Sequence, residues 1–130
     1  MQDRPSMSEL TLAVREFLET ELAPALSDPR LRFRTLVAMN ALGMIARESE
    51  LEEPLLREEC LSLLELLAEN SELPIGFSKL KSKILEANIE LAKRIRGGEL
   101  PNGTFAHLER VTRAKLEVSN PAYLKKFLDP

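Results

Sequence analysis

The chain has 130 residues, 44% of them hydrophobic and 30% charged, with one His, one Cys and no Trp. That is the size of one domain, 1–130, and its apolar runs of only a few residues exclude a disordered chain and a membrane-spanning protein. A lone Cys forms no internal disulfide, and with a lone His it leaves no Cys/His set for zinc, so neither a metal nor another cofactor is expected and a reducing cytoplasm fits best.

The opening residues Met1-Gln2-Asp3-Arg4-Pro5-Ser6 carry charge at once and lead into no apolar stretch, so no targeting peptide is expected and the reading is of a cytoplasmic protein. The net charge of −3 and six aromatic residues argue against nucleic acid or an anionic membrane as partner. The sum hides a polarity. Residues 1–77 hold 7 Arg, no Lys and 15 acids, giving −8, whereas residues 78–130 hold 11 basic and 6 acidic residues, giving +5.

In chain order, Ser6 and Glu9 have capping-box spacing ahead of Leu10, Val14, Phe17 and Leu18, which predicts a helix through Leu22, ended or kinked by Pro24. Asp28-Pro29 predicts an N-cap and a first helical proline, opening a helix to about Glu50 with a core stripe of Phe33, Leu36, Val37, Asn40, Ala41 and Met44. Glu53-Pro54 resets the chain by the same logic. A third helix then runs to about Glu69 with Leu56, Cys60, Leu63, Leu64 and Leu67 in line. Leu55, Leu61 and Leu66 widen that stripe, so this helix is either central in a bundle or part of a subunit interface.

Residues 70–77 form a loop with Pro74 and Gly76. The fourth helix spans about 77–96 and stops at Gly97-Gly98, where glycine accepts a left-handed turn. Thr104 caps a fifth helix to about Ser119, and Asn120-Pro121 opens a short sixth helix to Leu128. No stretch alternates as a strand would. The expected fold is all-α, a single-domain bundle of about five helices plus a short C-terminal helix.

No phosphate-loop, dinucleotide or nucleophile-elbow motif is present, and a di-metal Glu-x-x-His pair has no His to use. Cys60 with His107 as its base is a conceivable nucleophile pair, since sequence distance does not forbid a meeting in space. Cys60 lies on the leucine stripe and reads as packing, and His107, in the first turn of its helix, reads as solvated or capping. No catalytic residue is assigned.

Five polar residues fall on apolar stripes: Glu21, Asn40, Arg47, Asn88 and Lys115. Burying such groups without partners is costly, so they are expected either to form a structural network or to surround a small anionic ligand, with two cations, one carboxylate and two amides. Snorkelling to water from helix ends accounts for Glu21, Arg47 and Lys115, and a buried Asn often fixes helix register, so a structural role is favoured over a site.

Met1 to Ser6, Val14-Arg15-Glu16-Phe17-Leu18, Asn40-Ala41-Leu42-Gly43, Arg94-Ile95-Arg96-Gly97-Gly98-Glu99-Leu100, and Lys115-Leu116 through Asn120-Pro121-Ala122-Tyr123 together carry a resemblance. The chain resembles a small bacterial all-helical family of unknown function. Members of it tend to be encoded beside aminoglycoside-phosphotransferase-like kinases and acyl-CoA dehydrogenases. The resemblance implies an accessory role near acyl-CoA or phosphotransfer metabolism and brings no catalytic residues with it. The expectation is a non-enzymatic, self-associating interaction protein, most simply a dimer, that meets such a partner enzyme. The alternative is a small-anion binding protein, or an enzyme of unknown reaction, built on the five polar residues.

Overall fold

A computed structural model describes residues 3–128, so Met1 and Gln2 of the opening segment lie outside the described residues. Its elements are α1 (Met7–Phe17), a π-helical turn (Leu18–Leu22), α2 (Ala23–Ala25), α3 (Pro29–Leu66), α4 (Phe77–Arg96), α5 (Thr104–Ser119) and α6 (Pro121–Leu128). The fold is all-α, with no strand among the described residues.

The helix starts follow local chemistry. Ser6 and Glu9 close a capping box, with Ser6 N donating to Glu9 Oε2 at 2.7 Å and Glu9 N to Ser6 Oγ at 3.2 Å. Asp28 Oδ1 accepts from Arg30 N at 2.8 Å at the start of α3. Pro24 does not simply end the first helix. Its ring would crowd the carbonyl four residues back, and the backbone instead widens over Leu18–Leu22, where Ala23 N–H reaches Leu18 O.

The break expected at Glu53-Pro54 is absent. α3 continues through Pro54 for 38 residues. An internal proline removes one helical hydrogen bond and costs about 3 kcal/mol. Pro54 is exposed, so water can reach the carbonyl left without a donor, and apolar burial further along the helix offsets the rest. The helix also passes from one compact unit to another at this point. The N-terminal unit runs to Glu52 and includes Val118–Asn120; the C-terminal unit runs from Glu53 to Glu117 and resumes at Pro121.

The C-terminal unit has a closed core. Cys60, Leu63 and Leu64 of α3 and Leu67 directly after it meet Leu80, Ile84, Ala87 and Leu91 of α4, with Leu56, Leu66 and Leu73 packed against them. The spacing in both helices is three and four residues, and each fully buried leucine contributes about 2 kcal/mol. The leucine-rich helix is therefore central to its own unit, although Leu61 remains exposed.

The N-terminal unit differs. Among the described residues its buried ones are Ser8, Met39, Gly43 and Ala46, small except for one methionine. The stripe expected to be core lies outside: Phe33 is 66% exposed, and Leu36, Val37 and Met44 are also exposed. Asn40 and Ala41 share that exposure. Periodicity located an apolar face but not what covers it.

Two helix ends share one geometry with different residues. After α4, Gly98 has φ +86°, with Glu99 N donating to Arg94 O at 2.9 Å and Gly98 N to Ile95 O at 3.1 Å. After α3, Ala68 has φ +54°, with Glu69 N donating to Leu64 O at 2.9 Å and Ala68 N to Glu65 O at 3.1 Å. Both are Schellman closures, and a left-handed residue bearing a Cβ costs roughly 1–2 kcal/mol. Ala68→Gly is accordingly expected to stabilise the chain by about 1 kcal/mol and Gly98→Ala to destabilise it by a similar amount, read from urea denaturation midpoints.

Candidate functional site

The five polar residues singled out by the helical pattern occupy different settings. In the N-terminal unit, Glu21 is exposed within the π-helical turn and Asn40 is exposed on α3. Arg47 is half-buried and its Nε donates to the Val118 carbonyl at 2.7 Å, a cation at the C-terminal end of α5. In the C-terminal unit, Asn88 is half-buried and donates through Nδ2 to Glu59 Oε1 at 3.2 Å. Lys115 is exposed on α5 and close enough to His107 to act on its titration. Arg47 and Asn88 thus hold neighbouring backbone and side-chain groups.

Arg47 has a second relationship that sequence reasoning missed. A Cβ on Gly43 would lie 3.2 Å from Arg47 Nη1 and 3.5 Å from Arg15 Nη1, so glycine leaves the space into which both guanidinium groups reach. The enclosed Nε of Arg15 has no hydrogen-bond partner in the structure. A buried donor left unpaired costs about 1–3 kcal/mol, and a like charge beside it adds to that cost.

The groove of the C-terminal unit brings more chemistry together. It has a volume of about 570 Å³, with Ser62, Leu66, Pro101, Ala106, Arg110 and Arg113 in its lining. Its position follows from α3. Cys60, Leu63, Leu64 and Leu67 point into the core, which leaves Glu59, Ser62 and Leu66, spaced by three and four residues, on the flank beside them. The start of α5 meets this flank: a Cβ on Gly103, whose φ is +91°, would lie 3.6 Å from Leu66 Cδ2. Thr104 does not cap α5 as expected. It is buried and its hydroxyl donates backward to the Pro101 carbonyl at 2.7 Å, while the Gly103 carbonyl accepts from His107 N at 2.9 Å.

His107 is 1% exposed, which overturns its reading as a solvated residue. Its Nδ1 lies 2.8 Å from Ser62 Oγ, and Arg110 Nη2 donates to the same oxygen at 2.9 Å. Burial holds the His107 pKa below 6.5, Arg110 and Lys115 press the same way, and Glu59 opposes them. Burial thus favours the neutral imidazole. The hydroxyls of Thr11, Thr20, Thr35 and Thr112 donate to the carbonyl four residues back. Ser62 turns toward α5 instead. With one lone pair taken by Arg110, its proton is best placed on an unprotonated Nδ1, which puts the imidazole proton on Nε2.

Cys60, buried two residues before Ser62, is held above the ordinary thiol pKa chiefly by burial, with Glu59 and Glu69 adding to the shift against Lys83. It is a packing residue and a poor nucleophile at neutral pH. No cluster of three or more His, Cys, Asp or Glu that could hold a metal occurs among the described residues. No described helix is long and apolar enough to cross a membrane.

These features define an all-helical protein with a small polar groove and an apolar helical face left open. Residues 24–123 match the DUF6285 family, a domain of unknown function, and the chain belongs to that family. No curated protein and no solved structure matches it.

Two measurements follow. A His whose folded pKa is depressed adds stability that is complete above its unfolded value and is lost as pH falls through the folded value. Urea stability is therefore expected to fall below about pH 6.5, and His107→Gln is expected to flatten that part of the profile. Arg15→Met, which removes the unpaired donor and one of the two guanidinium groups beside Gly43, is expected to leave thermal stability unchanged or raise it by about 1 kcal/mol.

Proposed function

We propose that this protein is a non-catalytic helical accessory protein that works by association, with the apolar face of its N-terminal unit pairing with the same face of a second copy. One observation carries the reading. The N-terminal unit encloses little more than Ser8, Met39, Gly43 and Ala46, while Leu10, Val14 and Phe17 of α1 and Phe33, Leu36 and Val37 of α3 are each about half exposed or more.

A unit with so small an enclosed core gains little hydrophobic stabilisation. A second copy supplies the missing layer by two-fold symmetry, α1 and the first part of α3 from each chain making a four-helix core. These six side chains supply the apolar centre, and the polar residues around them the rim, of such an interface. The Ser62, His107 and Arg110 group does not supply a rival reading as an enzyme: His107 lies within the fold and Ser62 is tied to α5 on both sides.

The resemblance noted from the sequence gives the setting, an accessory role beside a phosphotransferase-like kinase or an acyl-CoA dehydrogenase in a bacterial cytoplasm. The homodimer then presents two identical C-terminal units to such an enzyme. Light scattering on the purified chain is expected to give the mass of a dimer, and Val37→Glu with Phe33→Glu is expected to give a monomer that keeps the helical content of the C-terminal unit. A monomeric wild-type chain at micromolar concentration would refute the reading.

A further inference from the structure

We propose that the groove of the C-terminal unit is a proton-linked binding site for a small organic carboxylate, with Arg110 holding the anionic head and Ser62 and His107 coupling its binding to proton uptake. The groove lies wholly in the C-terminal unit, so a monomer would keep it.

The geometry carries each part. Arg110 is exposed, and the bond from its Nη2 to Ser62 Oγ fixes the direction of the guanidinium while its remaining N–H groups stay available. A planar fork held in this way suits a carboxylate. Arg113, also in the lining, is already paired with Glu109 at 2.9 Å, so Arg110 is the better anchor. Leu66, Pro101 and Ala106 offer apolar surface in the same groove, which suits a short hydrocarbon body better than a bare inorganic ion.

Ser62 supplies the link to protons. With His107 neutral, the Ser62 hydroxyl donates to Nδ1 and accepts from Arg110. Protonation makes Nδ1 a donor, so Ser62 accepts from both sides and its own proton is released toward the groove it lines. An anion in the groove then gains a donor and a nearby positive charge. The groups that bear on His107 are Glu59 from α3 and Arg110 and Lys115 from α5, and Glu65 and Glu109 also line the groove. A bound carboxylate counters the two cations and favours the imidazolium, so by linkage its affinity rises as pH falls.

Butyrate, acetate and inorganic phosphate are the probes, titrated into the full-length chain while the His107 ring nitrogens are followed by NMR. Butyrate is expected to raise the His107 pKa and to bind about tenfold more tightly at about pH 6 than at about pH 8. It is expected to exceed acetate by about tenfold for its two added methylenes, and to bind more tightly than phosphate. Arg110→Gln is expected to abolish binding, and Ser62→Ala to keep binding at about pH 8 while reducing its pH dependence to the part carried by charge alone.

Absence of saturable butyrate binding, or butyrate binding with no change in the His107 pKa, overturns the proposal, and both readouts use the unmodified chain. Binding that survives Arg110→Gln, or a pH dependence that Ser62→Ala leaves undiminished, also overturns it. Phosphate binding as tightly as butyrate overturns the choice of a carboxylate.

Discussion

The apolar seam between the second half of α3 and α4 is the constraint on which the C-terminal unit depends. Once Cys60, Leu63, Leu64 and Leu67 face Leu80, Ile84, Ala87 and Leu91, helical geometry leaves no freedom over where the intervening residues point. Glu59, Ser62 and Leu66 must lie on one flank, and each meets something there: Asn88, His107 and Gly103. The same seam brings Arg94 to the end of α3, where its Nη1 donates to the Leu67 carbonyl at 3.4 Å while its Nε pairs with Glu90. A stripe with no polar chemistry of its own thus decides which polar groups can interact.

Legibility in the sequence followed the range of the interaction. The Ser6 and Asp28 caps, the glycine closure of α4 and the bounds of α6 rest on residues a few positions apart, and all were readable. Pro54 was misread because its local cost is real but is outweighed by burial several turns further on. The partner of His107 was unreadable for another reason. Ser62 lies 45 residues away and is a small polar residue among leucines, so the only available hint was its spacing of three from Glu59. Cys60 drew notice because of its chemistry, yet its place on the stripe correctly marked it as packing.

The polar residues on apolar stripes teach a related point. A helical wheel finds a charge where apolar residues continue, but cannot tell a site from a capping role. Arg47 and Arg94 both spend a guanidinium N–H on a carbonyl near the end of another helix, Val118 within α5 and Leu67 directly after α3. The charge polarity along the chain has a similar local reading. Lys83 of the basic segment pairs with Glu69 of the acidic one at 2.7 Å, which raises the Lys83 pKa through that hydrogen bond.

The unbroken course of α3 through Pro54 bears on the order in which the chain acquires structure. The seam joins segments near each other in sequence, so its closure has a small loop-entropy cost and is suited to form early. Helix growth from that seam toward the N-terminus meets Pro54 as a step where one residue is fixed without a new hydrogen bond. The proline thus acts as a gate on propagation. The helical turns before it have few enclosed side chains of their own, which makes the first half of α3 the portion most sensitive to whatever covers its exposed face.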